Sequence, residues 1–221
     1  MNKPLVPNEK KKQNWKQNPE AVKSDILRIA TELFAANGLS GTRIDEIAAR
    51  TETSKRMIYY YFGDKEGLYA RVLEAAYAKV REGEKKLNLE GLTAADALAE
   101  LVSFTFDHHR KSPEFIRMVM IENIHHAQYL KRSEVIRTVN VAAIDRLAEI
   151  IRRGEAEGAF RPGLDPVALH WQISALSFFN VSNRPTFSAL FGPGLFGPEG
   201  QNALRGQAVD MILSHVKVND P

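Results

Sequence analysis

Lys55, Arg56, Met57, Tyr59 and Tyr60 fall within six consecutive residues of the stretch SKRMIYYYFGDKEGLY (54–69). Each of these residue types can contact DNA. An arginine forks onto a guanine edge, a methionine packs on a thymine methyl, and lysine and tyrosine heads reach phosphates. Stepping about 100° per residue from a buried Ile58 turns Phe62 and Tyr61 inward. The same count leaves Lys55, Met57 and Tyr59 on the flanks and points Arg56 and Tyr60 outward. Two cations in a first helical turn oppose the helix dipole, at about 0.3–1 kcal/mol each, and a bound anion reverses that sign. A surface helix that merely packs on its neighbours explains a single tyrosine but not this whole outward face.

These side chains need a short helix held by a second one. Ser54 is a good N-cap for a helix through Phe62. A shorter helix precedes it across the break Thr51-Glu52-Thr53. Thr42 with Asp45 reads as its capping box, and Ile44, Ile47 and Ala48 as its apolar face. Before that, Ile26, Ile29, Ala30, Leu33 and Phe34 recur at helical spacing over about 21–37, and Gly38 stops the run. This is the helix-turn-helix arrangement, whose second helix enters the major groove N-terminus first.

The pattern stays helical downstream. Asp64 caps a long helix, Thr93 to Arg110 is amphipathic, and Pro113 sits in the first turn of the next helix. Ser133 to Glu157 follows. Asp165-Pro166 then opens a segment taken as one helix to about 190, and the last helix runs over about 201–216. GPGLFGPEG (192–200) reads as a turn-rich connector. No stretch reads as a strand, so the fold class is all-α.

Charge and composition narrow the function. Residues 1–65 carry 12 Lys and Arg against 8 Asp and Glu, a net +4; the other 156 carry 18 against 19. This suggests an anionic partner for the first third, nucleic acid being the commonest, while a solvated lysine tail explains the charge equally well. Residues 1–20, with Lys10, Lys11 and Lys12, read as a flexible basic arm. The absence of cysteine excludes disulfides, thiolate metal sites and cysteine nucleophiles, and fits the cytoplasm. No apolar run is long enough for a membrane span or a secretory signal. Neither a glycine-rich phosphate loop, nor G-x-S-x-G, nor H-E-x-x-H occurs, so no enzymatic activity and no cofactor are expected.

The stretch ILRIATELFAANGLSGTRIDEIAARTETSKRMIYYYFGDKEGLY resembles the DNA-binding domain of the TetR family, the tetracycline-repressor-like bacterial regulators. The match covers about residues 21–70 and rests on hydrophobic spacing, caps and the aromatic block together. The resemblance implies a helix-turn-helix domain over 21–67 and a ligand-binding and dimerisation domain over 68–221. It implies a homodimer that binds a palindromic double-stranded DNA operator and is released by a small-molecule effector. It puts Thr42 and Lys65 on phosphates, Arg43 beside them, and Lys55, Arg56, Met57, Tyr59 and Tyr60 on the recognition helix. Glu52 departs from the family, many members of which have glycine there. At a left-handed turn position a non-glycine residue costs about 1 kcal/mol.

An effector pocket needs an apolar lining with a few convergent polar groups. Phe104, His108, Met118, Glu122, His125, Trp171, Ser174, Phe178 and Asn180 are candidates, though core packing also explains each singly. Glu122 inside MVMIENIHH stands out, because a buried polar atom needs a partner. A helical small-molecule or metal-binding protein without sequence-specific DNA binding is the alternative. In it, one histidine from His108-His109 and one from His125-His126 would meet Glu122 around Zn²⁺ or Ni²⁺. Lacking an i, i+4 histidine pair, the chain is not expected to hold a metal.

Overall fold

Six helices of the computed structural model, which describes residues 18–218, start on a side-chain cap. Asn18 opens α1 (Pro19–Gly41), Ser54 opens α3 (Lys55–Phe62) and Asp64 opens α4 (Lys65–Lys85). Thr93 opens α5 (Ala94–Lys111), Ser133 opens α7 (Glu134–Ala156) and Asp165 opens α8 (Pro166–Ser182). In each case a side-chain oxygen accepts a free N–H of the first turn, as with Asp64 Oδ1 and the Gly67 amide at 2.7 Å. The remaining helices are α2 (Ile44–Arg50), α6 (Pro113–Ile124), α9 (Arg184–Phe191) and α10 (Pro198–Val216). Among the described residues the only extended pairing is one isolated bridge, Phe160 with Lys217.

Four sequence expectations change. The first helix begins at Pro19, inside the proposed arm, and residues 1–17 with their lysines lie outside the described residues. Thr42 does not cap α2. Its hydroxyl donates to Leu33 O at 3.0 Å and Gly38 O at 2.8 Å, and Arg43 holds the cap position without a side-chain bond. The segment 165–190 is two helices, because Pro185 has no N–H to continue the α8 ladder and the chain restarts at Arg184. The connector 192–200 holds a short 3₁₀ turn (Gly194–Phe196), and Pro198 already belongs to α10.

Two apolar cores organise the packing. The first joins α1, α2, α3 and the start of α4 around Ile26, Phe34, Ile47, Ile58 and Leu68, and admits Met118 from α6 and Ile136 from α7. The second joins α5, α7, α8 and α10 around Leu98, Phe106, Leu147, Leu169 and Ile212. α4 runs between them, with α1 packed on both α4 and α6. Gly38, at φ 68°, breaks α1 and leaves one further turn to Gly41, a backbone shape that costs glycine little. Gly83 permits a close approach. A Cβ there would sit 2.5 Å from the Phe104 ring, so α4 and α5 touch through that aromatic.

Candidate nucleic-acid interface

Ile58 is fully buried and fixes the rotation of α3 about its axis. Tyr61 and Phe62 are half-buried beside it. Tyr60 is 77% exposed and Tyr59 45% exposed, with Arg56 also exposed. The inward and outward sets therefore follow the helical count from Ile58. Ser54 Oγ accepts the Met57 amide at 3.2 Å, which leaves the half-buried Met57 side chain on the edge of the outward face. Lys23 of α1 lies 5.4 Å from the Tyr61 ring centre, and the Tyr60 and Tyr61 rings meet edge to face at 5.3 Å. The tyrosine block is thus braced from behind and free in front.

The cations are held to different degrees. Lys55 pairs with Asp45 of α2, and Arg43 lies 3.7 Å from the same carboxylate. Arg56 makes no ion pair among the described residues. Lys65 Nζ donates to Thr42 O at 3.0 Å and so closes the start of α4 onto the start of α2. Thr42 itself is 1% exposed with its hydroxyl on two carbonyls, which corrects its expected place on a phosphate. Sequence reasoning missed Asp45 as the shared acid, though its place in the first turn of α2 was legible as an N-terminal acid. The turn between α2 and α3 carries Glu52 at φ 51°, in the left-handed region where glycine is favoured.

The candidate effector residues do not share one cavity. Met118 is buried in the first core. Glu122, 1% exposed, accepts the Tyr69 hydroxyl at 3.1 Å and the Tyr129 and Leu130 amides at 3.1 and 3.0 Å. That corrects its expected role: its oxygens hold α4, α6 and the following loop together. Burial, and next the Glu122 charge, push the Tyr69 phenol well above its ordinary pKa. His125 is exposed, as is Trp171 at 71%. Phe104 stacks on His108 at 5.6 Å, while Ser174 and Phe178 are half-buried on α8. Asn180 exchanges two 2.9 Å bonds with Gln201 and borders an apolar cavity of about 340 Å³ between α8, α9 and α10. His108 lies instead on an open cleft of about 1020 Å³ between α1, α4, α5 and α6. No three histidine or acidic residues gather in ligating geometry among the described residues. The histidine-pair metal site falls with Glu122 engaged and His125 outside.

Two family profiles match the chain. One describes bacterial regulatory proteins of the tetR family, over residues 26–72; the other a tetracyclin repressor-like C-terminal domain, over 95–212. The chain belongs to the TetR family. It is 35% identical to the HTH-type transcriptional repressor NicS of Pseudomonas putida, over 81% of this chain and 84% of that one. It is 28% identical to the HTH-type transcriptional repressor SCO4008 of Streptomyces coelicolor, over 83% and 91%. The solved structure of SCO4942, a regulator from Streptomyces coelicolor, superposes with a TM-score of 0.67 at 26% identity, over 88% and 98%. The chain is therefore a DNA-binding transcriptional regulator with a ligand-binding C-terminal domain, and the reading without DNA binding is set aside. Among the described residues no helix is long and apolar enough to cross a membrane.

Proposed function

We propose that the chain acts in the cytoplasm as a homodimeric repressor, released from an inverted-repeat operator by a small-molecule effector. The carrying observation is the outward face of α3, where Arg56 and Tyr60 stand exposed over a buried Ile58. Arg56 and Met57 are assigned to base edges, and Arg43, Lys55, Tyr59 and Tyr60 to phosphates and groove walls. Lys65 keeps two N–H groups beyond the one on Thr42 O and is assigned to a flanking phosphate. Residues 19–67 form the reading unit and 68–221 the sensing and pairing unit. In NicS and SCO4008, both named transcriptional repressors, the sign of regulation agrees.

The pairing surface is assigned to α8, α9 and α10, where Phe179, Leu190, Phe191 and Met211 are all more than half exposed. The apolar cavity beneath them belongs to this seam, since helices with such faces bury them against a symmetry mate. α6 supports the coupling: it packs along α1, so a change in its setting moves the reading unit. Selection of bound DNA from a random-sequence pool tests the whole proposal. An enriched inverted repeat, with half-sites about 34–36 Å apart or a multiple of that, is expected. No enrichment by folded protein at low salt would overturn it.

A further inference from the structure

The interior between α4, α5, α7 and α8 is unusually cationic. Arg81 of α4 donates through Nη1 to both Glu84 oxygens, at 2.5 and 2.7 Å, and through Nη2 to Asn140 Oδ1 at 2.9 Å. Its Nε is buried without a hydrogen-bond partner among the described residues. Arg146 of α7 ends on the Glu84 and Leu87 carbonyls. His109 of α5 is 7% exposed, and its Nδ1 also lacks a partner among the described residues. His170 of α8 lines a small void of about 10 Å³ with Arg81, Glu84, Thr105 and Arg146. Burial, then the neighbouring positive groups, push His109 and His170 down to about 4. The Glu84 carboxylate there is taken up by Arg81. The unpartnered Arg81 Nε–H, with an unpartnered His109 nitrogen that donates once protonated, suits an anion.

The way in is also marked. Phe115, at the start of α6, packs 5.8 Å from the His109 ring and 5.2 Å from Tyr77. Phe115 and His108 both line the open cleft. Both rings also pack beside His109, at 5.8 and 6.4 Å, so the shortest way from the cleft to His109 runs past them. Tyr77, Phe104 and Phe115 supply flat apolar surface around the polar end.

We propose that this interior is the sensing site, and that it takes a small organic anion with a carboxylate or phosphate head. The head is held by Arg81 Nε and His109, and the body lies among Tyr77, Phe104 and Phe115. The effector role rests on the repressor reading above; the binding site does not. Entry displaces Phe115 and so shifts α6 against α1.

Imidazole NMR of the full chain, prepared without an affinity tag, tests this with three probes at matched ionic strength: benzoate, phenyl phosphate and neutral benzamide. Benzoate or phenyl phosphate is expected to shift the His109 signals and raise its titration midpoint, and benzamide is expected to leave both unchanged. A response to benzoate alone assigns a carboxylate head, and to phenyl phosphate alone a phosphate head. Arg81→Met is expected to weaken the response at least tenfold, but the wild-type spectra decide the matter if that variant folds poorly. No His109 response to either anion, or an equal response to benzamide, overturns the site. Affinity for the selected DNA is read in the same samples. Intact DNA binding without a His109 response removes the site and leaves the repressor. A His109 response with unchanged DNA affinity removes the effector role.

Discussion

Glu122 of α6 accepts the hydroxyl of Tyr69 of α4 at 3.1 Å, across 53 residues of sequence. The same carboxylate accepts two amides of the loop that leads into α7, where His126 and Ala127 hold positive φ angles of 56° and 58°. A buried acceptor with three donors is therefore a joint within the first core, tying α4 and α6 to the loop before α7. Glu122→Gln turns an amide N–H toward one of those donors, and a cost of roughly 1–3 kcal/mol is expected. Tyr69→Phe removes one bond and is expected to cost about 1 kcal/mol or more. Urea unfolding of the single and double variants checks this. Additive losses would mean that the two side chains do not act as a pair.

Arg56→Ala and Tyr60→Ala should separate folding from reading. Both side chains are exposed, so stability is expected to stay within about 0.5 kcal/mol of the parent. Loss of an arginine on a guanine edge costs about 1–3 kcal/mol of discrimination, or roughly 5- to 150-fold in affinity for the selected site. Tyr60→Ala is expected to weaken all sequences alike. Gel-shift titrations with the selected repeat and a scrambled one distinguish the two. A DNA affinity unchanged in the double variant would remove α3 from the interface.

The parts legible in the sequence were those set locally. Ser54, Asp64 and Asp165 each cap the helix expected of them, because a cap acts over two or three residues. The rotation of α3 was likewise fixed by its own periodicity around Ile58. Thr42 was misread because its partner, Leu33 O, lies in the preceding helix, nine residues back. Pro185 was a visible helix break, but the apolar run on either side of it masked the signal. The effector candidates were scattered for a different reason. Which of them converge depends on how four helices cross, and no single helix encodes that. His109 and His170, both in the sequence, come together only through the packing of α5 on α8.

Glu52 holds φ 51° in the turn before α3, where glycine has no Cβ to crowd the backbone. Glu52→Gly is expected to stabilise the chain by up to about 1 kcal/mol, less the extra freedom that glycine brings to the unfolded state. The side chain is exposed, so little packing is lost. Thermal unfolding checks the sign. A clear fall in Tm would mean that the turn relies on Glu52 for a contact worth more than the backbone relief.

Stability should fall as the solution is acidified from neutrality. His109 and His170 sit at about 4 in the folded chain, both depressed mainly by burial. Unfolded, each returns to about 6.5. Between those values the unfolded chain binds protons that the folded chain refuses, so acid favours unfolding. The contribution is fully present above about pH 6.5, declines through pH 6 and 5, and is spent below about pH 4. Each histidine adds a slope of up to about 1.4 kcal/mol per pH unit. Urea midpoints at pH 7.5, 6 and 5 measure it, and His109→Gln with His170→Gln should flatten the curve in that window. A parent and double variant with the same slope would show that other groups carry the acid sensitivity. Benzoate, if it occupies the site, should shrink the parent's loss between pH 6.5 and 5, because an anion beside His109 makes the protonated ring welcome.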